Sequence, residues 1–261
     1  MQLFIPGAQF SPKRTWQTNL IKAQTFVYNP DAFENIIVGS SLSANVNITG
    51  CYNLSLYGLS IYDGLHVISQ TNHRIKNIFI ETNFMLKDEN KEFNDQLNYT
   101  IPFYLKKYIP ALRDGKQPIV MAVESIRTIS AKDKKSAQTN TPVSEELFDQ
   151  LLNDYVDYYS KIPTSDSLTY YTTQLKSYTN SLEAKGVRIH FFEMPINEKL
   201  CDLPKATTIR NALYKNFPPS KYRYIEQPNC AIYHTTDGVH LSEPEIIQYT
   251  AYFNENYTIH P

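Results

Sequence analysis

Three serines follow a glycine in Gly39-Ser40-Ser41-Leu42-Ser43, and Asp237-Gly238-Val239-His240 lies near the far end of the chain. A hydroxyl, an imidazole and a carboxylate are the parts of a nucleophilic relay. Ser41 would attack an acyl carbonyl. His240 would take the hydroxyl proton and return it to the leaving group. Asp237 would orient the imidazole and stabilise its cation. The oxyanion formed on the way needs preorganised donors. The backbone N–H groups of Ser41 and Gly58 and the side-chain amide of Asn83 would supply them. Each residue also has a plainer reading. Serine hydroxyls cap helices, Asp-Gly is a common turn pair, and a strand-end Asn bonds its own backbone. Convergence of all four regions on one edge of a sheet is what separates the two readings.

The elements needed for that convergence are legible. Ile36 to Val38 is a short apolar run, read as a buried strand over 35–38 that stops at Gly39. A turn and short helix are expected from Ser41. Further strands are expected at 51–56, 78–81, 187–193 and 222–225. Helices are expected at 60–73, 142–159, 166–185, 207–216 and 243–253, with Gly186 ending the third of these. Strands separated by helices argue for βαβ units and a parallel sheet. In such sheets ligands bind at the carboxyl ends of the strands. Residues 1–33 read as an irregular lead-in with one short helix near 16–23. Residues 84–160 read as a helical insertion within one domain spanning 1–261. Pro102, Pro110 and Pro118 interrupt it, and the polar run 131–142 reads as a mobile loop.

Composition narrows the function classes. The 261 residues carry a formal net charge of −1, so no strong field favours nucleic acid or an anionic membrane. No apolar run is long enough to span a membrane. Met1 to Gly7 lacks the charged and apolar regions of a signal peptide. If a leader or anchor has been removed, the periplasm or cell surface is expected, and otherwise the cytoplasm. Cys51, Cys201 and Cys230 have no zinc-knuckle or redox spacing. A Cys201–Cys230 bridge and free buried thiols both stay open. Cys230, His234, Asp237 and His240 do not have the spacing of a helical zinc site or a zinc finger, so no metal and no cofactor is expected. The 20 tyrosines would suit a polar-ligand cleft, but ordinary half-buried surface accounts for most of them. His66 and His73 read as solvated on one helix face, and His190 as a hydrogen-bonded core residue. The glycosylation-like triplets at Asn47, Asn53, Asn98 and Asn256 are discounted.

These residues carry a family resemblance. Gly39-Ser40-Ser41-Leu42-Ser43 resembles the Gly-Asp-Ser-x-Ser first block of SGNH (GDSL-type) hydrolases. Gly58 resembles the glycine of the second block, Asn83 the asparagine of the third, and Asp237-Gly238-Val239-His240 the Asp-x-x-His fifth block. The blocks stand in the family's order from 39 to 240. Two departures stand out. Ser40 replaces the usual aspartate, as in SGNH-like proteins that modify cell-surface polysaccharides. The third block reads Ile-Glu-Thr-Asn in place of Gly-x-Asn-Asp. A Gly-x-Ser-x-Gly elbow, by contrast, would need glycine at Ser43.

The resemblance implies a flavodoxin-like three-layer α/β/α fold with a mostly parallel five-stranded sheet. It implies a metal-free serine esterase acting on a small acyl group such as acetyl, carried by a small molecule or a glycan. Two alternatives accompany it. A polysaccharide O-acetyltransferase would use the same relay with a sugar hydroxyl as acceptor. A carbohydrate-binding protein on the same fold would bind without turnover. Oligomeric state is not legible.

Overall fold

Apolar residues run without interruption over Ile36–Val38 and Ile78–Ile80, so both faces of the sheet must be covered there. The computed structural model describes residues 12–29, 33–98, 109 and 144–257. Five strands form one sheet: β1 (Asn35–Val38), β2 (Tyr52–Asn53), β3 (Asn77–Glu81), β4 (Arg188–Phe192) and β5 (Arg223–Ile225). Their order is β2-β1-β3-β4-β5, and every pairing is parallel. This is the flavodoxin-like order, which reverses its direction of winding between β1 and β3. Ser41 and Asn83 follow those two strands.

Period-two alternation divides the core. Ile36, Val38, Ile78, Ile80, Ile189 and Phe191 face one layer. That layer is built from α1 (Pro12–Val27), α2 (Ile61–Ser69), α3 (Lys91–Asn98), α5 (Ser165–Glu183) and most of α7 (Pro204–Asn216). Ile37, Phe79 and Phe192 face the other, with α4 (Glu145–Tyr159), α6 (Glu198–Cys201) and α8 (Glu243–Asn256). The result is three layers. No described helix is long and apolar enough to cross a membrane.

Several expectations are corrected. The lead-in holds a 16-residue helix, not a short one: Leu20, Ala23 and Phe26 bury one stripe of α1, and Phe26 stacks on Phe33 and Tyr52. No helix follows Ser41; residues 41–45 are turns. The second strand pairs only over Tyr52–Asn53. Leu54 and Leu56 still donate to the Ile37 and Gly39 carbonyls at 2.8 and 3.1 Å, so the chain stays beside β1. Helix α2 ends at Ser69, which leaves His73 beyond it, packed 4.6 Å from the Phe26 ring rather than solvated. Its start is fixed by a capping box between Ser60 and Asp63. Of the insertion, α3 and α4 are described. The polar run 131–142 lies outside the described residues, as does most of 99–143.

His190 sits in a polar chain that crosses the sheet. Asn35 Nδ2 donates to the Gly50 carbonyl at 3.1 Å, and Asn77 Nδ2 donates to Asn35 Oδ1 at 2.6 Å. That leaves Asn77 Oδ1 to accept from His190 Nε2–H at 3.1 Å. Burial first, then Arg223 and Arg188, pushes the imidazole down from 6.5 to about 4. The unfolded chain therefore binds more protons between those values, so stability is complete above about 6.5 and is lost as the pH falls toward 4. The loss at low pH is about 3 kcal/mol for a shift of this size. His190→Gln keeps the donor and removes the titration. Its melting temperature should fall less between pH 7 and pH 4 than that of the wild type; equal falls would contradict the assignment.

Candidate active site

Parallel register sets three candidate residues level with one another. Val38 pairs with Ile80, and Ile37 with Asn53. Continuing each strand past its last pair brings Ser41, Gly58 and Asn83 to the same edge, beside the reversal in strand order. The closing segment reaches this edge from the other side. Thr235 bridges Leu241, and Thr236 N donates to the His240 carbonyl at 2.8 Å, so residues 235–241 form a tight hairpin. Gly238 has φ +100°, a backbone conformation that favours glycine. A Cβ there would also lie 3.2 Å from Leu152 Cδ1 and 3.4 Å from Tyr155 Cδ2, because α4 packs on the hairpin tip.

Asp237 Oδ1 accepts the backbone N–H groups of Val239 and His240 at 3.1 and 2.8 Å, which fixes the carboxylate within its own turn. Its Oδ2 lies 2.7 Å from His240 Nδ1, and His240 Nε2 lies 2.9 Å from Ser41 Oγ. A carboxylate only accepts, so Nδ1 carries the proton. In the neutral ring Nε2 is then the acceptor, and Ser41 O–H donates to it. Burial alone would raise the Asp237 carboxyl. The hydrogen bond and charge of His240, with the two backbone donors, outweigh it and hold the group below its ordinary value. The His240 side chain is 25% exposed against 6% for Asp237, so the relay runs from a buried acid to an accessible hydroxyl.

The oxyanion candidates are arranged less simply. Gly58 has φ +68° and open space where a Cβ would stand. Its carbonyl is held by Lys87 Nζ at 2.8 Å. Asn83 is largely committed elsewhere. Its Nδ2 donates to the Met194 carbonyl at 2.9 Å, and its Oδ1 accepts Met194 N–H at 2.8 Å. The side chain thus extends the β3–β4 ladder by one pair. Only the second hydrogen of the same amide is left to offer an oxyanion.

Residues that the motifs did not single out hold the turn. Glu81, fully buried at the end of β3, accepts from Ser40 and Ser43. Asn53 donates its amide to the Ser43 and Val46 carbonyls at 2.8 and 2.7 Å. Lys22 of α1 donates to the Ala44 and Ser55 carbonyls, both at 3.0 Å. Burial pushes that ammonium down to about 8. The signal for Glu81 was present in the sequence, as one acid closing the apolar run Ile78-Phe79-Ile80. Nothing local pointed to Lys22.

Cys201 and Cys230 are bonded, joining the end of α6 to the short 3-10 turn Cys230–Ile232 ahead of the hairpin. Cys230 is therefore unavailable as a thiolate ligand beside His234. Cys51 is free. Among known proteins, no family model, no curated sequence and no solved structure matches this chain.

Proposed function

We propose that this protein is a serine esterase of the SGNH type that cleaves a small acyl ester through a covalent intermediate on Ser41. The observation that carries the reading is the continuous relay from Asp237 through His240 to Ser41, with separations of 2.7 and 2.9 Å. Two ordinary hydrogen bonds align the three groups, although the hydroxyl and the imidazole belong to opposite ends of the chain.

The steps follow from the tautomer. Ser41 Oγ attacks the acyl carbon as its proton passes to His240 Nε2. Asp237 stabilises the resulting imidazolium without taking the proton itself. The oxyanion turns toward the Ser41 and Gly58 N–H groups and the second Asn83 hydrogen. His240 Nε2–H then protonates the departing alcohol oxygen, leaving an ester on Ser41. Water, deprotonated by Nε2, attacks that ester; the bond to Ser41 Oγ breaks, Nε2–H returns the proton to Oγ, and the acid departs. What favours an acylated carbohydrate as substrate is Ser40 in place of the usual aspartate, a departure shared with SGNH-like proteins that modify cell-surface polysaccharides.

Hydrolysis of an aryl acetate by the purified protein tests the reading. Turnover should be present in the wild type and absent in His240→Ala. A glycan acceptor added to the assay distinguishes transfer from hydrolysis, because transfer adds the acetyl mass to the glycan. Equal rates in wild type and His240→Ala would contradict the relay. Binding of acetylated glycans with no turnover of any ester would support the carbohydrate-binding alternative.

A further inference from the structure

Glu81 closes β3 with no exposed surface, and its carboxylate faces the turn that carries Ser41. Oε1 accepts Ser40 Oγ–H at 2.7 Å. Oε2 accepts Ser40 N–H at 3.0 Å, Ser43 N–H at 3.2 Å and Ser43 Oγ–H at 2.6 Å. Ser41 lies between the two residues so gripped. The network continues outward, since Ser55 Oγ lies 2.8 Å from Ser43 Oγ, and Ser40 Oγ accepts Leu42 N–H at 3.2 Å. It also fills the space beside Gly39. A Cβ there would meet Glu81 Oε2 at 2.7 Å, Ser55 Oγ at 2.9 Å and Ser43 Oγ closer still.

A buried carboxylate is costly unless its oxygens are satisfied, and an apolar residue would extend the run Ile78-Phe79-Ile80 without that cost. All four bonds from the turn are charge-assisted, and such bonds are roughly twice as strong as neutral ones. Two of them take up the Ser40 and Ser43 backbone N–H groups, so the carboxylate holds the backbone of the turn as well as its hydroxyls. We propose that Glu81 is the positioning residue of the nucleophile: by gripping Ser40 and Ser43 on either side, its carboxylate holds the Ser41 hydroxyl in line with His240. The proposal rests on the reading of Ser41 as nucleophile. Glu81 acts through the turn and does not touch the reacting atoms.

Glu81→Gln tests it with little change of shape. The glutamine oxygen can take the three bonds at Oε2, and its amide can donate to Ser40 Oγ, which rotates to accept. The charge is lost, and the turn is held by neutral bonds. The kcat per active site, titrated with a fluorophosphonate, should fall about tenfold to a hundredfold with KM within about twofold, as expected when a reacting group is misplaced by up to an ångström. Ser40→Asp sets a second carboxylate against Oε1 and should be more damaging. In Ser40→Asp/Glu81→Gln a single carboxylate again faces the turn, and kcat should recover at least about tenfold over Ser40→Asp, since like charges no longer meet. A purely structural Glu81 would lower the folded fraction and leave kcat per titrated site unchanged. That result, or effects that simply multiply in the double variant, would overturn the proposal. Loss of turnover in Ser41→Ala beside full turnover in Glu81→Gln refutes positioning alone, whereas full turnover in Ser41→Ala refutes the nucleophile. Crystals of Glu81→Gln give a readout independent of substrate: the Ser41 Oγ to His240 Nε2 separation should exceed 2.9 Å, and an unchanged separation would overturn the proposal.

Discussion

Ser41→Ala should lower kcat for ester hydrolysis by about a million-fold, the scale seen when a serine nucleophile is removed from a relay of this kind. The fold should be untouched. Ser41 is half-buried, its side chain is small, and the turn is held through Ser40 and Ser43 rather than through Ser41 itself. Removing the hydroxyl leaves His240 Nε2 facing accessible space, where water replaces the lost donor. Steady-state kinetics beside a thermal melt checks both halves. A fall of less than about tenfold would show that another group carries the acyl transfer, because a missing nucleophile cannot be offset by the remaining donors to that degree.

Asp237→Asn should cost about ten-thousand-fold in kcat, through the wrong tautomer rather than through misfolding. The asparagine oxygen can still accept Val239 and His240 N–H, so the hairpin keeps its internal bonds. Its amide nitrogen would then face His240 Nδ1 and donate to it. The imidazole proton moves to Nε2, which can no longer accept from Ser41. The melting temperature should change little, and probe labelling should slow in parallel with turnover. A variant that retains wild-type kcat would exclude Asp237 from the relay.

The strands were the most legible part of this chain. Ile36–Val38 and Ile78–Ile80 are short apolar runs that only a sheet covered on both faces can bury. The Asp237–His240 turn was legible because its chemistry is local: the carboxylate bonds its own backbone and the neighbouring ring. What was hidden depends on partners distant in sequence. The helix expected after Ser41 does not form, and residues 41–45 are turns: Asn53 and Lys22, both distant in sequence, take the Ser43, Val46 and Ala44 carbonyls that a helix would use as acceptors. Asn83 reads as a free donor at a strand end, yet pairing with Met194 of the adjoining chain segment occupies half its amide. The length of α1 was masked by its polar residues. Its apolar stripe is narrow, and it gains stability from rings supplied by Phe33 and Tyr52. The Cys201–Cys230 bond was one of two open readings, and only tertiary proximity selects it.

The most direct test of the account is the site of covalent capture. After reaction with a fluorophosphonate, peptide mass spectrometry should find one adduct on Ser41, absent from Ser41→Ala and strongly slowed in His240→Ala. Labelling of Ser41→Ala to the same extent as the wild type, or no adduct on an otherwise folded wild-type protein, would contradict it.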